Sequence, residues 1–272
     1  VQINARTPAE ARDAARVVED GGYALLDFNL GCPVRKIVRK GGGAALGCSA
    51  VEAAEVVHHA VSAVKIPVTA KLRLGWDSAQ LTAPDVAKEL QAAGVAALAV
   101  HGRTRCQAFS GAVDREGIRQ TVAAVTVPVF ANGDILTVED IVGMLRDTGA
   151  AGVMVGRGVI ADPWLFSEAW RRLGVGDAWR EPGVQQRADA LLQHYTRLLD
   201  SRPEPVATAQ FRKVLRTISK ALGAPEALVA RGGLVSNALE VATYIDLLRG
   251  LPDGPIVRSN VVPTPKRPVD HW

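Results

Sequence analysis

The chain has 272 residues, of which 48% are apolar and 22% charged, a globular composition with enough length for a large core and without an apolar run of about 18 residues that could span a bilayer. Three cysteines, Cys32, Cys48 and Cys106, are too few and too scattered for a disulfide framework, lack zinc-ligand spacing, and suggest a reducing, cytoplasmic setting. The net charge of +4 permits an anionic partner without requiring one.

From Val1, where "VQIN" already reads as a strand and no signal peptide is visible, to about Arg172, one pattern repeats. A short apolar run ends in polar residues or glycine, and an alanine-rich amphipathic helix follows. The runs are residues 1–4, 24–30, 67–74, 95–102, 127–133 and 151–158. They are continuously apolar, the pattern expected of parallel strands buried on both faces. The intervening helices open on Thr7-Pro8-Ala9-Glu10, Ser49-Ala50-Val51-Glu52 and the looser Thr82-Ala83-Pro84-Asp85, read as side-chain caps. Gly21, Gly94 and Gly149 mark helix ends.

Six strands suffice for an open doubly wound sheet, whereas a closed barrel needs eight. Polar residues end nearly every strand: Gln2, Asn29 and Cys32, Lys71 and Arg73, His101 and Arg103, Asn132 and Asp134, Gly156 and Arg157. Side chains converging from many strand ends are how an α/β barrel builds its site. The expected fold is therefore a TIM-type (β/α)8 barrel over residues 1–175 that lacks its first two β/α units. Residues 182–250 read as helices without a strand signal, a C-terminal all-helical domain, and the proline-rich 251–272 as a disordered tail.

"ANGDI" (131–135) and "VGRG" (155–158) would close the last two strands, the usual place for a phosphate held by backbone N–H groups. Cys32 follows a strand and precedes Pro33, which favours an extended backbone and places the thiol at the strand's mouth. A lone cysteine is most often a small buried hydrophobe, a role that suits Cys48. Near Lys71 and His101, Cys32 could instead act as a general acid while protonated, or as a nucleophile if neighbouring cations lower its pKa. Lys71 interrupts an apolar run, as a ligand for something anionic would.

The ordered motifs "LDFNLGCPVRKIVRKGGGAAL", "VPVTAKLRLGW", "VHGRTRCQAFSG", "PVFANGDI" and "GVMVGRG" resemble those of the tRNA-dihydrouridine synthases, with spacing closest to the bacterial DusB-like branch. The likeness runs from Val1 to about Trp170, and in the helical part only "FRKVLRTISKAL" is similar. The family's opening strand, which also holds flavin, has no counterpart here, so the chain looks N-terminally truncated. The resemblance implies an enzyme that binds FMN, recharges it with NADPH and reduces the C5=C6 bond of a uracil in tRNA. It makes Cys32 the proton donor. It makes Gln2, Lys71, Asn132, Gly133, Asp134, Gly156 and Arg157 flavin-binding, with His101 beside the flavin and the uracil.

It also gives the basic residues a partner. Arg35, Lys36, Arg39 and Lys40 flank the thiol, Arg103 ends a strand, and Arg212, Arg216 and Lys220 share a helical face with Lys213 beside it. All would face RNA, and Gly41–Gly43 would give the loop freedom to fold around a flipped base. A monomer is expected. The alternatives are an FMN barrel acting on free pyrimidines, of the dihydroorotate dehydrogenase kind, and a catalytically incomplete tRNA-binding fragment.

Overall fold

Every one of the six apolar runs supplies a strand to one parallel sheet. In the computed structural model, which describes residues 1–176 and 180–257, these strands are β1 (Gln2–Ile3), β2 (Leu26–Asn29), β3 (Val68–Arg73), β6 (Ala97–His101), β7 (Val129–Asn132) and β8 (Gly152–Met154). They lie in the order β1-β2-β3-β6-β7-β8 and all pair in parallel. Helices α1 (Pro8–Asp20), α3 (Ala50–Val61), α4 (Ala83–Ala92), α5 (Arg115–Ala123) and α6 (Val138–Thr148) connect them, so each return to a parallel neighbour runs through a helix. Together with the helices given below, the described residues form a parallel-sheet α/β fold with twelve helices.

The two faces of the sheet differ. Leu26 and Phe28 in β2, and Val68, Ala70 and Leu72 in β3, are buried. Their alternates Asp27, Asn29, Thr69 and Lys71 are only partly buried. The expectation of burial on both faces is thus met in β6, where Ala99 and His101 of the polar face are buried with Leu98 and Val100, and only in part in β2 and β3, where Asp27, Asn29, Thr69 and Lys71 keep partial exposure.

Register stacks that polar face into three rows, since partners in a parallel pair point the same way. Gln2, Asp27, Thr69 and Ala97 form the first, and Asn29, Lys71, Ala99, Phe130 and Gly152 the second. Arg73, His101, Asn132 and Met154 form the third, at the carboxyl ends of the strands.

Of the expected caps, Thr7 Oγ1 accepts from Glu10 N at 3.2 Å, whereas Ser49 and Thr82 precede their helices without a side-chain cap. An antiparallel hairpin, β4 (Gly75–Asp77) with β5 (Gln80–Leu81), follows β3 and is not among the strands expected from the apolar runs. Its turn is an Asx type: Asp77 Oδ1 accepts from Ala79 N (2.9 Å) and Gln80 N (3.1 Å).

Two compact units divide the chain, one holding residues 1–134 and 140–155. The second takes residues 135–139 and, of the described residues from 156 on, those up to 257. It contains α7 (Gly158–Ala161), α8 (Leu165–Arg172), α9 (Val184–Ser201), α10 (Glu204–Ala221), α11 (Glu226–Gly232) and α12 (Ala238–Arg249). Its core gathers Leu191, Tyr195, Phe211, Leu215, Tyr244 and Ile245. The tyrosine hydroxyls are satisfied inside it, Tyr195 with Thr208 and Tyr244 with Ser219, each at 2.6 Å.

Residues 251–257, the described part of the expected tail, carry no helix or strand and make two long-range hydrogen bonds. Asp253 Oδ1 accepts from Val184 N at 2.6 Å, and Val257 N donates to Ala221 O at 3.0 Å. The rest of that tail lies outside the described residues.

Candidate active site

Asn29 ends β2 and turns its side chain onto the loop that follows. Its Oδ1 accepts from Gly31 N at 3.2 Å and Cys32 N at 3.0 Å, an Asx arrangement that holds Cys32 directly beyond the strand end. The thiol is partly buried. Behind it lies Gly43, with φ +57°, where a Cβ would come within 2.9 Å of Cys32 O. Gly42 and Gly43 are both buried. The glycines expected to give freedom instead allow close packing; only Gly41 faces open space.

Arg73 leaves β3 in the third row and is buried. Its Nε donates to Gly31 O at 2.8 Å, and its Nη1 donates to Thr104 O (2.9 Å) and Ala108 O (2.7 Å). One guanidinium therefore joins the loop carrying the thiol to the loop after β6. Burial and the nearby Arg103 pull its pKa down to about 10, against an opposing effect of Cys32, so it stays charged at neutral pH. Lys71 lies one row deeper, with Nζ 3.3 Å from Leu72 O. Burial first, then Arg73, lower its pKa to about 7, while Asp27 acts in the opposite sense.

His101 ends β6 beside Gly133, whose φ is +128° and whose added Cβ would meet the imidazole at 3.0 Å. Arg103 Nη1 lies 3.4 Å from His101 Nε2. The same guanidinium binds both carboxylate oxygens of Asp134 and donates to the carbonyls of Ser110 and Gly111. Asp134 adopts φ +47° to meet it. Asn132 Nδ2 donates to Met154 O at 2.7 Å. Gln2, in the first row, bonds both Asp27 and Asn29. Seven of the expected site residues, Gln2, Cys32, Lys71, His101, Asn132, Gly133 and Asp134, thus come from consecutive strands of one sheet. Gly156 and Arg157 begin the second unit, where Arg157 precedes the short α7 and an added Cβ on Gly156 would meet open space.

Against this geometry, the family model described as "Dihydrouridine synthase (Dus)" matches residues 1–235. The chain belongs to the dihydrouridine synthase family. A probable tRNA-dihydrouridine synthase from Rickettsia bellii is 38% identical over 86% of this chain and 71% of its own length. One from Rickettsia conorii is 38% identical over 90% and 74%. The tRNA-dihydrouridine synthase B of Xanthomonas axonopodis is 38% identical over 81% and 66%.

In this member of the dihydrouridine synthase family the basic residues part into two kinds. Arg35, Lys36, Arg39 and Lys40 lie on or just after α2 (Arg35–Val38), all at least partly exposed. Arg212, Lys213, Arg216 and Lys220 line one cavity of about 390 Å³ on α10, as their helical spacing requires. Arg103 is the correction. It is 1% exposed and saturated by Asp134 and backbone carbonyls, so it has no donor fork to offer RNA. One further residue of the site escapes a reading by motif, Asp27, a carboxylate inside the apolar run "ALLDFNL"; Arg73, already among the polar strand ends, gains a definite role as the bridge between two loops. For Asp27 the available signal is a charge at a strand position that alternation assigns to the polar face.

Proposed function

We propose that this protein reduces the C5=C6 bond of a uridine in tRNA to dihydrouridine, with FMN as bound cofactor and NADPH as reductant. The observation that carries the reading is Cys32, whose N–H is held by Asn29 while Arg73 holds the preceding Gly31 carbonyl, beyond a strand end in the same sheet as Lys71 and His101. The residues suit a flavin. Lys71, His101 and Asn132 lie in neighbouring rows of one face, which also carries Phe130 and Met154, 38% and 40% exposed, an apolar surface of the kind a planar ring covers. Gly133 lets backbone come close at its φ of +128°.

When bound, reduced FMN supplies hydride to uracil C6. Negative charge then develops toward C5 and O4, and Cys32 gives its thiol proton to C5, to be reprotonated from solvent. Lys71, whose pKa of about 7 lets it gain or lose a proton near neutrality, takes up positive charge when an anionic ring lies beside it. His101 donates a hydrogen bond to flavin or uracil. For Gly156 and Arg157 as phosphate ligands the support is the resemblance of their motif alone.

The six parallel strands would belong to a TIM-type barrel, and the helical unit from Val184 to Arg249 would bind tRNA through Arg212, Lys213, Arg216 and Lys220. Arg35, Lys36, Arg39 and Lys40 would contact the backbone near the target base. The cationic cavity favours tRNA over a free pyrimidine, which needs no such surface. A monomer in the cytoplasm is the setting proposed; no helix of the described residues is long and apolar enough to cross a membrane.

Incubation of tRNA with the protein, FMN and NADPH, followed by nucleoside analysis, tests the reading. Dihydrouridine is expected, and Cys32→Ala should keep bound flavin while losing turnover. Reduction of free uracil or orotate-type bases with tRNA untouched would reject it.

A further inference from the structure

The hydrogen bonds that reach the thiol loop have a direction, and Asp27 anchors the end of them farther from the thiol. Asp27 stands in β2 two residues before Asn29. Its Oδ1 accepts from Thr69 Oγ1 at 2.7 Å and its Oδ2 from Gln2 Nε2 at 2.6 Å. An ionised carboxylate can only accept. Gln2 must therefore turn its amide nitrogen to Asp27, which leaves Oε1 to accept from Asn29 Nδ2 at 3.1 Å. Asn29 is then left with Oδ1 for the N–H groups of Gly31 and Cys32. Backbone N–H groups can only donate, so both ends of the relay demand the same sense. Reversing either amide would set N–H against N–H at the thiol loop or oxygen against oxygen at Asp27.

We propose that Asp27 is the positioning residue for Cys32. It never touches the reacting atoms. It anchors the Gln2–Asn29 relay in the sense that the loop's N–H groups also require, and so holds Asn29 in place against the Cys32 amide. The inference rests on the reading of Cys32 as proton donor, and its test keeps the two separable.

In protein carrying Cys48→Ala and Cys106→Ser, Cys32 is the one remaining thiol. Asp27→Leu and Asp27→Asn are compared there with the parent for flavin content, kcat, KM for tRNA, and the rate of Cys32 alkylation by iodoacetamide at fixed pH without flavin. Asp27→Leu removes the anchor. The expected result is a kcat lower by about tenfold, a KM within about twofold, and an alkylation rate changed by about threefold or more. Asp27→Asn keeps an acceptor for Gln2 and turns its own nitrogen to Thr69 Oγ1, which can accept, so values near the parent's are expected. Folded Asp27→Leu with parent alkylation and kcat overturns the proposal, as does an Asp27→Asn that behaves like Asp27→Leu. If Asp27→Leu does not fold, Asn29→Ala cuts the relay at its other end. The same change in alkylation is expected there, and a parent rate overturns the proposal. Should Cys32→Ala retain turnover, the proton-donor reading fails while the alkylation series still decides the relay.

Discussion

Lys71 shows how a single position reports its surroundings. An unfolded chain holds a lysine proton up to about pH 10.4, whereas the folded protein holds that of Lys71 only up to about 7. Between those values the unfolded state binds more protons, so stability should rise as pH rises through that window. In flavin-free protein, denaturant melts at pH 7 and pH 9.5 should show this gain, and Lys71→Met should abolish it. Arg103 gives the opposite kind of prediction. Its removal takes one donor group from Asp134 and from two loop carbonyls, so Arg103→Met should cost about 1–3 kcal/mol in urea unfolding. It should leave the salt dependence of tRNA binding unchanged, because the side chain is not at the surface.

Among the elements, α10 is where exposed cations and a buried stripe coexist. Phe211, Leu215 and Ile218 enter the core while Lys213 and Lys220 face the cavity. Lys213→Ala and Lys220→Ala should each lower the slope of log affinity against log salt by about 1 and shift stability by no more than about 0.5 kcal/mol. Gel retardation of tRNA across a salt series and a thermal melt check both. This cationic face is legible in the amino-acid sequence, because i, i+4 spacing is local. So are the six strands, since apolar runs bounded by caps and glycines depend on near neighbours. The β4–β5 hairpin is not, because its two short strands pair only with each other and carry no apolar pattern of their own. Nor is the role of Gly42 and Gly43: a flexible loop and a tightly packed one have the same local sequence, and only contact with Arg6, Ile37 and Cys32 distinguishes them. Arg103 misleads for the same reason, since its partner Asp134 lies 31 residues away.

At the scale of the molecule, each unit keeps its own core. Residues 182–257 expressed alone should melt cooperatively by far-UV circular dichroism, because α9 to α12 close their apolar cluster among themselves. A gradual loss of signal would show that this core needs the rest of the chain. Charge, by contrast, belongs to two regimes. Lysines on α10 are solvated, so added ions can replace their phosphates. Arg73 is different: its described acceptors are three carbonyl oxygens from two loops, and none is a carboxylate. At neutral pH its positive charge is kept, and its burial shields it from mobile ions. High ionic strength will therefore detach the RNA yet leave the field around the strand ends as it was, making affinity the salt-sensitive property of this protein and the chemistry at its thiol the salt-tolerant one.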